Sequence, residues 1–119
     1  MRSAGAIAFL IFSCANLFAG GSGPNVVVVV NQNSTNSLQL GNYYCEKRGV
    51  PPQNVLRINW TGGNVIWTKT EFETLLRAPL NSMLSSRQLS NQIDFVLLLM
   101  DIPYRVTNNT GTVNNNVNA

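Results

Sequence analysis

Five consecutive valines, Val26 to Val30, closed by Asn31-Gln32-Asn33-Ser34, restrict the fold more than any other stretch of this chain. Two γ-methyl groups stiffen each valine at χ1, which favours extended backbone over helix. The run has no polar alternation. A strand that is apolar at every position is one buried on both faces, so helices must cover both sides of its sheet. The run is therefore expected to be the first and central strand of an α/β domain.

The following segments supply partners for that strand. Asn33-Ser34-Thr35-Asn36-Ser37 offers several side chains able to cap a helix, after which Leu38, Gly41, Tyr44, Cys45 and Arg48 recur at helical spacing. Gly49 closes this helix as a left-handed cap, and Pro51-Pro52 cannot continue it. Gly41 in mid-helix costs about 1 kcal/mol relative to alanine, a cost that close approach to the sheet would explain. Val55 to Trp60 reads as a second strand, with Arg57 and Asn59 alternating as on an exposed edge. Thr61-Gly62-Gly63-Asn64 reads as a turn, since it has neither the dinucleotide-binding nor the P-loop glycine pattern. Thr68-Lys69-Thr70-Glu71 fits a capping box, and Phe72, Leu75, Leu76, Leu80, Met83 and Leu84 form the apolar stripe of a second helix. Pro79 inside that stripe predicts a kink or break near Arg77-Ala78. Ile93 to Met100 is the third strand.

Strands alternating with helices imply parallel pairing through right-handed crossovers. The expected fold is α/β, a partial three-layer (Rossmann-like or flavodoxin-like) parallel sheet of strand order 2-1-3. It occupies residues 25–106, and residues 107–119 are an Asn-rich tail or interrupted loop. The stretch Asn108 to Ala119 holds six Asn and two Val, too little apolar matter for a core strand. Most sheets have about 4 to 6 strands, so three make a thin domain and further strands are expected beyond Ala119.

Residues 1–21 read as a secretory signal peptide. Met1-Arg2-Ser3 is a short basic start, Ala4 to Phe18 is mostly apolar, and Ala19-Gly20-Gly21 fits a small-x-small cleavage site. The apolar stretch is shorter than the roughly 20 residues that span a bilayer, and Ser13, Cys14 and Asn16 interrupt it. The rivals are an uncleaved anchor and lipid attachment at Cys14, after Ile11-Phe12-Ser13. The expected location is outside the cytoplasm: periplasmic, outer-envelope or extracellular. Membrane contact is expected only through such an anchor, and a partner in the envelope or outside the cell.

Charge and residue types exclude several activities. The net charge of +3 falls to +2 if Arg2 leaves with the leader, and the remaining basic residues are scattered, so no nucleic-acid partner is expected. The chain has no histidine, which rules out a His-based dyad, triad or metal site within it. No cofactor motif is present. Loss of Cys14 would leave Cys45 unable to form an internal disulfide. As a functional residue Cys45 is a nucleophile or an intermolecular bridge; as a structural one it is a small apolar residue on the buried face of the first helix, the reading favoured here.

Strand order 2-1-3 reverses direction between the first and third strands, and open α/β sheets bind ligands at such a crevice beyond the strands' carboxyl ends. Asn31, Gln32, Asn33, Ser34, Asp101 and Arg105 are expected there. The ligand-binding candidates are Asn31, Ser34, Asp101 and Arg105, with Arg105 holding a polar ligand that Asp101 orients. In the plainer alternative, Asn31 and Ser34 satisfy backbone donors of the strand-to-helix turn, Asp101 caps a turn and Arg105 lies on the surface. Asn33-Ser34-Thr35, Asn59-Trp60-Thr61 and Asn108-Asn109-Thr110 match the glycosylation sequon, which matters only in a eukaryotic secretory route.

A set of motifs stands in order: Val26 to Val30 with Asn31, Ser37 to Tyr43-Tyr44, Lys47-Arg48-Gly49-Val50-Pro51, Asn54-Val55, Glu71-Phe72, Arg77-Ala78-Pro79-Leu80, Ile93-Asp94-Phe95 and Ile102-Pro103-Tyr104-Arg105-Val106. Through them residues 25–106 resemble the amino-terminal part of an uncharacterised family of exported bacterial proteins found in genomes with the PEP-CTERM sorting system. The resemblance implies export and a longer parent chain, but no reaction. Asp101 stands where the family pattern has Gly before the Ile-Pro step.

Two functions follow. The first is a non-catalytic exported α/β module for binding or structure. The alternative is the amino-terminal fragment of a hydrolase-like enzyme on a caspase- or gingipain-like scaffold, with its catalytic residues beyond Ala119, an analogy of fold alone.

Overall fold

A computed structural model describes residues 22–107 and 113–114. The leader expected over residues 1–21, with Cys14, and the rest of the Asn-rich segment lie outside the described residues.

β1 (Val26–Asn31) is the centre of a parallel sheet of order β2-β1-β4, flanked by β2 (Val55–Ile58) and β4 (Phe95–Leu98). This is the order expected from sequence, with β4 as the third strand of that reading. Val28 lies opposite both Val55 and Leu97. Its alternate residues serve two cores. Val27 and Val29 pack with Leu76, Met83, Leu56 and Ile58, while Val26, Val28 and Val30 pack with Leu38, Tyr44 and Cys45 on the opposite face. Each valine so buried contributes on the order of 2 kcal/mol of hydrophobic transfer free energy.

α1 (Thr35–Arg48) begins where the Ser34 hydroxyl accepts the Ser37 N–H at 3.0 Å, and ends at Gly49 with φ 61°. It lies close on β1: a Cβ at Gly41 would fall 2.5 Å from Val30 Cγ1. Helix propensity is sacrificed at this position for contact with the sheet.

The other face is covered by one continuous helical rod: α2 (Lys69–Glu71), a π-helical stretch Phe72–Arg77, and α3 (Ala78–Ser86). Thr68 and Glu71 form both halves of the expected capping box. Near Arg77-Ala78, where a kink or break is expected, the rod departs from α geometry without breaking. The preceding turn widens, so that the Ala78 N–H donates to the Glu73 carbonyl, a five-residue step, just before the residue that has no N–H to donate. A π turn relieves the clash between a proline ring and the carbonyl four residues earlier while keeping the rod continuous.

A second sheet has order β3-β5-β6, built from β3 (Ile66–Thr68), β5 (Arg105–Thr107) and β6 (Val113–Asn114). β3 and β5 are parallel, β5 and β6 antiparallel. None of these strands is expected from the sequence. Trp67, fully buried, carries this sheet onto the β1 core, and its Nε1–H donates to the Pro103 carbonyl at 2.6 Å. At the amino end of the main sheet, buried Asn54 donates to the carbonyls of Pro24 and Val26 at 2.8 and 3.1 Å.

Candidate functional site

The carboxyl ends of β1, β2 and β4 converge on Asn31. Its Nδ2 donates to the carbonyls of Trp60 and Asp101, both at 3.0 Å; its Oδ1 accepts from the backbone N–H of Trp60 at 3.0 Å and of Asn33 at 3.1 Å. Two donors and two acceptor positions are all the hydrogen-bonding capacity an amide has. Asn31 is also 3% exposed, so it organises the site and has no capacity left for a ligand.

Ser34 and Asp101 are likewise brought together. The Ser34 hydroxyl donates to Asp101 Oδ2 at 2.5 Å and accepts from Ser37 N–H, linking the carboxylate to the first turn of α1. The amino end of a helix carries partial positive charge from unpaired N–H groups, so an anion is favoured there. Asp101 is an internal anion in that place. It reaches it with φ 59°, a left-handed conformation suited to Gly and tolerated by Asp. From that backbone conformation the Asp101 side chain reaches the Ser34 hydroxyl.

Arg105 lies elsewhere. It belongs to β5, where its N–H donates to the Val65 carbonyl at 3.1 Å and its guanidinium sits 5.4 Å from the Tyr104 ring centroid. The expected pairing of Asp101 with Arg105 around a ligand is not formed.

Around the Asn31 network is a crevice of about 710 Å³, lined by Asn33, Ser34, Thr35 and Asn36 on one side and Trp60 to Asn64 on the other, with Asp101 at its base. The Thr61 to Asn64 wall is a turn, as the sequence indicates, but its place in the site is a new finding. Gly62 lies so close to the Trp60 indole that a Cβ there would collide with the ring. Trp60 Nε1–H donates to the Gly63 carbonyl at 2.8 Å, and the Trp60 ring meets Trp67 at 4.6 Å between centroids. The strand-end reasoning that selects Asn31 to Ser34 applies equally to the residues after β2 and would have found this wall.

Cys45 is partly buried against the α1-side core, and desolvation pushes its thiol pKa up, with the Arg57 charge opposing. Among the described residues, no group of three or more Cys, Asp or Glu side chains is placed to hold a metal ion, and no helix is long and apolar enough to cross a membrane. No protein-family model matches this chain, and neither a curated protein nor a solved structure matches it.

Proposed function

We propose that this chain is an exported, non-catalytic binding module, related to the PEP-CTERM-associated family it resembles, whose strand-end crevice receives an uncharged polar ligand. The single observation that carries this reading is the Ser34–Asp101 contact. It supplies the α1 amino terminus with an anion from within the chain and leaves a crevice walled by uncharged amides and hydroxyls. Asn33, Thr35, Asn36, Thr61 and Asn64 offer donors and acceptors together, the mixture that a polyhydroxylated molecule such as a saccharide presents in return. A serine hydroxyl against a carboxylate, with no histidine in the chain to take the proton between them, supports binding over nucleophilic catalysis.

The test is expression with the native leader in a bacterial host, recovery of the exported protein, and titration with maltohexaose, cellohexaose, chitohexaose and inorganic phosphate while tryptophan emission is followed. The expected result is a mature chain beginning at Ser22, a saturable response to at least one oligosaccharide that Asn36→Ala weakens, and no response to phosphate. Phosphate binding, or no response to any of the sugars, overturns the crevice reading; retention of the intact leader in the cytoplasm overturns export.

A further inference from the structure

Asp101 is the one charged side chain on the wall of the strand-end crevice; the others are amides, hydroxyls, glycines and Trp60. That difference governs what a ligand must present. A hydroxyl rotates and an amide turns about its last bond, so each can meet either a donor or an acceptor, whereas an ionised carboxylate only accepts. The Trp60 indole, which only donates, already gives its N–H to the Gly63 carbonyl at 2.8 Å. Among the lining side chains, Asp101 alone keeps a fixed polarity that the described residues have not used up.

The carboxylate is also held in place. Asn31 Nδ2 fixes the Asp101 carbonyl at 3.0 Å, the Ser34 hydroxyl fixes Oδ2 at 2.5 Å, and the left-handed backbone, φ 59°, joins the two attachments. Oδ1 has no hydrogen-bond partner among the described residues. The side-chain polar atom that is both buried and without a partner there is Asn54 Oδ1, so Asp101 Oδ1 remains in reach of solvent.

We propose that Asp101 is the specificity-determining residue of the crevice, accepting hydrogen bonds at Oδ1 from free hydroxyl groups of a neutral saccharide. This rests on the crevice reading above and names the group that chooses the ligand. A sugar whose hydroxyls are methylated or acylated offers that oxygen only acceptors and leaves a charged group desolvated without a partner, the situation in which a polar site discriminates most strongly. A uronic acid meets like charge. Ser34 and Asn31 are positioning residues, since they hold the carboxylate and its backbone without any need to touch the ligand.

The chain has two aspartates, Asp94 and Asp101, which makes the test direct. The exported protein, labelled with carbon-13 at aspartate, is titrated with maltohexaose, cellohexaose and chitohexaose, and then with the permethylated form of any that bind. The Asp101 carboxyl resonance, assigned by its loss in Asp101→Asn or its survival in Asp94→Asn, is expected to shift on saturation while that of Asp94 stays. Asparagine tolerates the left-handed backbone and still accepts from Ser34, but presents an amide donor to the crevice. Asp101→Asn is therefore expected to keep its circular dichroism spectrum and to bind the sugar about tenfold or more weakly, as loss of a hydrogen bond to a charged acceptor predicts. The permethylated sugar should bind wild type weakly and lose little more in Asp101→Asn, because the contact is already gone. A sugar that binds without moving the Asp101 resonance, or that binds a folded Asp101→Asn equally well, overturns this inference and leaves the crevice reading standing. No response to any of the three sugars overturns both.

Discussion

All four hydrogen-bonding positions of the Asn31 amide are taken by backbone groups from three strand ends, which makes this side chain a structural clamp at the floor of the strand-end crevice. Removing it leaves the N–H groups of Asn33 and Trp60 and the Asp101 carbonyl without this partner, and the Trp60 carbonyl with only Asn33 Nδ2 at 3.5 Å. An unsatisfied buried polar group costs about 1–3 kcal/mol, so Asn31→Ala is expected to lower the unfolding free energy by about 3 kcal/mol in urea denaturation. A loss below about 0.5 kcal/mol, the size of an ordinary surface substitution, would show that water replaces the amide without cost. Cys45 gives a pH prediction of defined sign. Burial raises its folded-state pKa, so the unfolded chain loses its thiol proton first as pH rises. Below the unfolded thiol's range both states are protonated and Cys45 contributes no pH dependence; above it stability falls until pH passes the raised folded value. Wild type is expected to lose stability across that alkaline window relative to Cys45→Ala, measured by denaturation at each pH. Parallel pH profiles for the two proteins would contradict the burial argument.

Gly41 shows how an element is fitted to its neighbour. Alanine there would gain about 1 kcal/mol of helix propensity, but its Cβ would lie 2.5 Å from Val30 Cγ1, a stiff side chain 3% exposed in the core. Overpacking a buried site costs typically about 1–3 kcal/mol, so Gly41→Ala is expected to be destabilising by about 1 kcal/mol net despite the better helix former. A higher melting temperature would mean that α1 shifts outward freely. This fit was legible in the sequence because a glycine amid helical spacing calls for a reason. The five valines, the Thr68–Glu71 box and Gly49 were legible on the same ground, each being a local pattern with a local cause. Pro79 marked the place of the irregularity at Arg77-Ala78 but not its form, because the sequence shows a missing donor and not the compensating wide turn over Phe72–Arg77. The second sheet was not legible: β3 has three residues, and β5 and β6 have three and two, too short for periodicity to register. Their pairing depends on contacts between segments distant in the chain.

At the scale of the molecule, the crevice was legible as a position and misjudged in part of its membership. Strand order placed Asn31, Ser34 and Asp101 together, whereas Arg105 went to a sheet that the sequence did not announce. The two sheets are joined at Trp67, which lies in the smaller one yet belongs to the core of the larger, with Val106 packed against the same core. It touches Trp60 at 4.6 Å between ring centroids and donates to the Pro103 carbonyl, so a single side chain ties the Thr61 to Asn64 wall of the crevice to the segment after Asp101. Trp67→Phe retains an aromatic ring while removing the donor and part of the volume, and is expected to lower stability by about 2 kcal/mol. It should also change the character of unfolding. In wild type, tryptophan emission and far-ultraviolet circular dichroism are expected to report one coincident transition, as for other small single domains. In Trp67→Phe the remaining indole, Trp60, sits at the junction of the sheets, and its emission should change at lower denaturant than the helical signal as the smaller sheet detaches first. If both signals still coincide and the midpoint does not move, Trp67 is not the tie between the sheets, and the shape of the crevice must be held by Asn31 and its backbone partners alone.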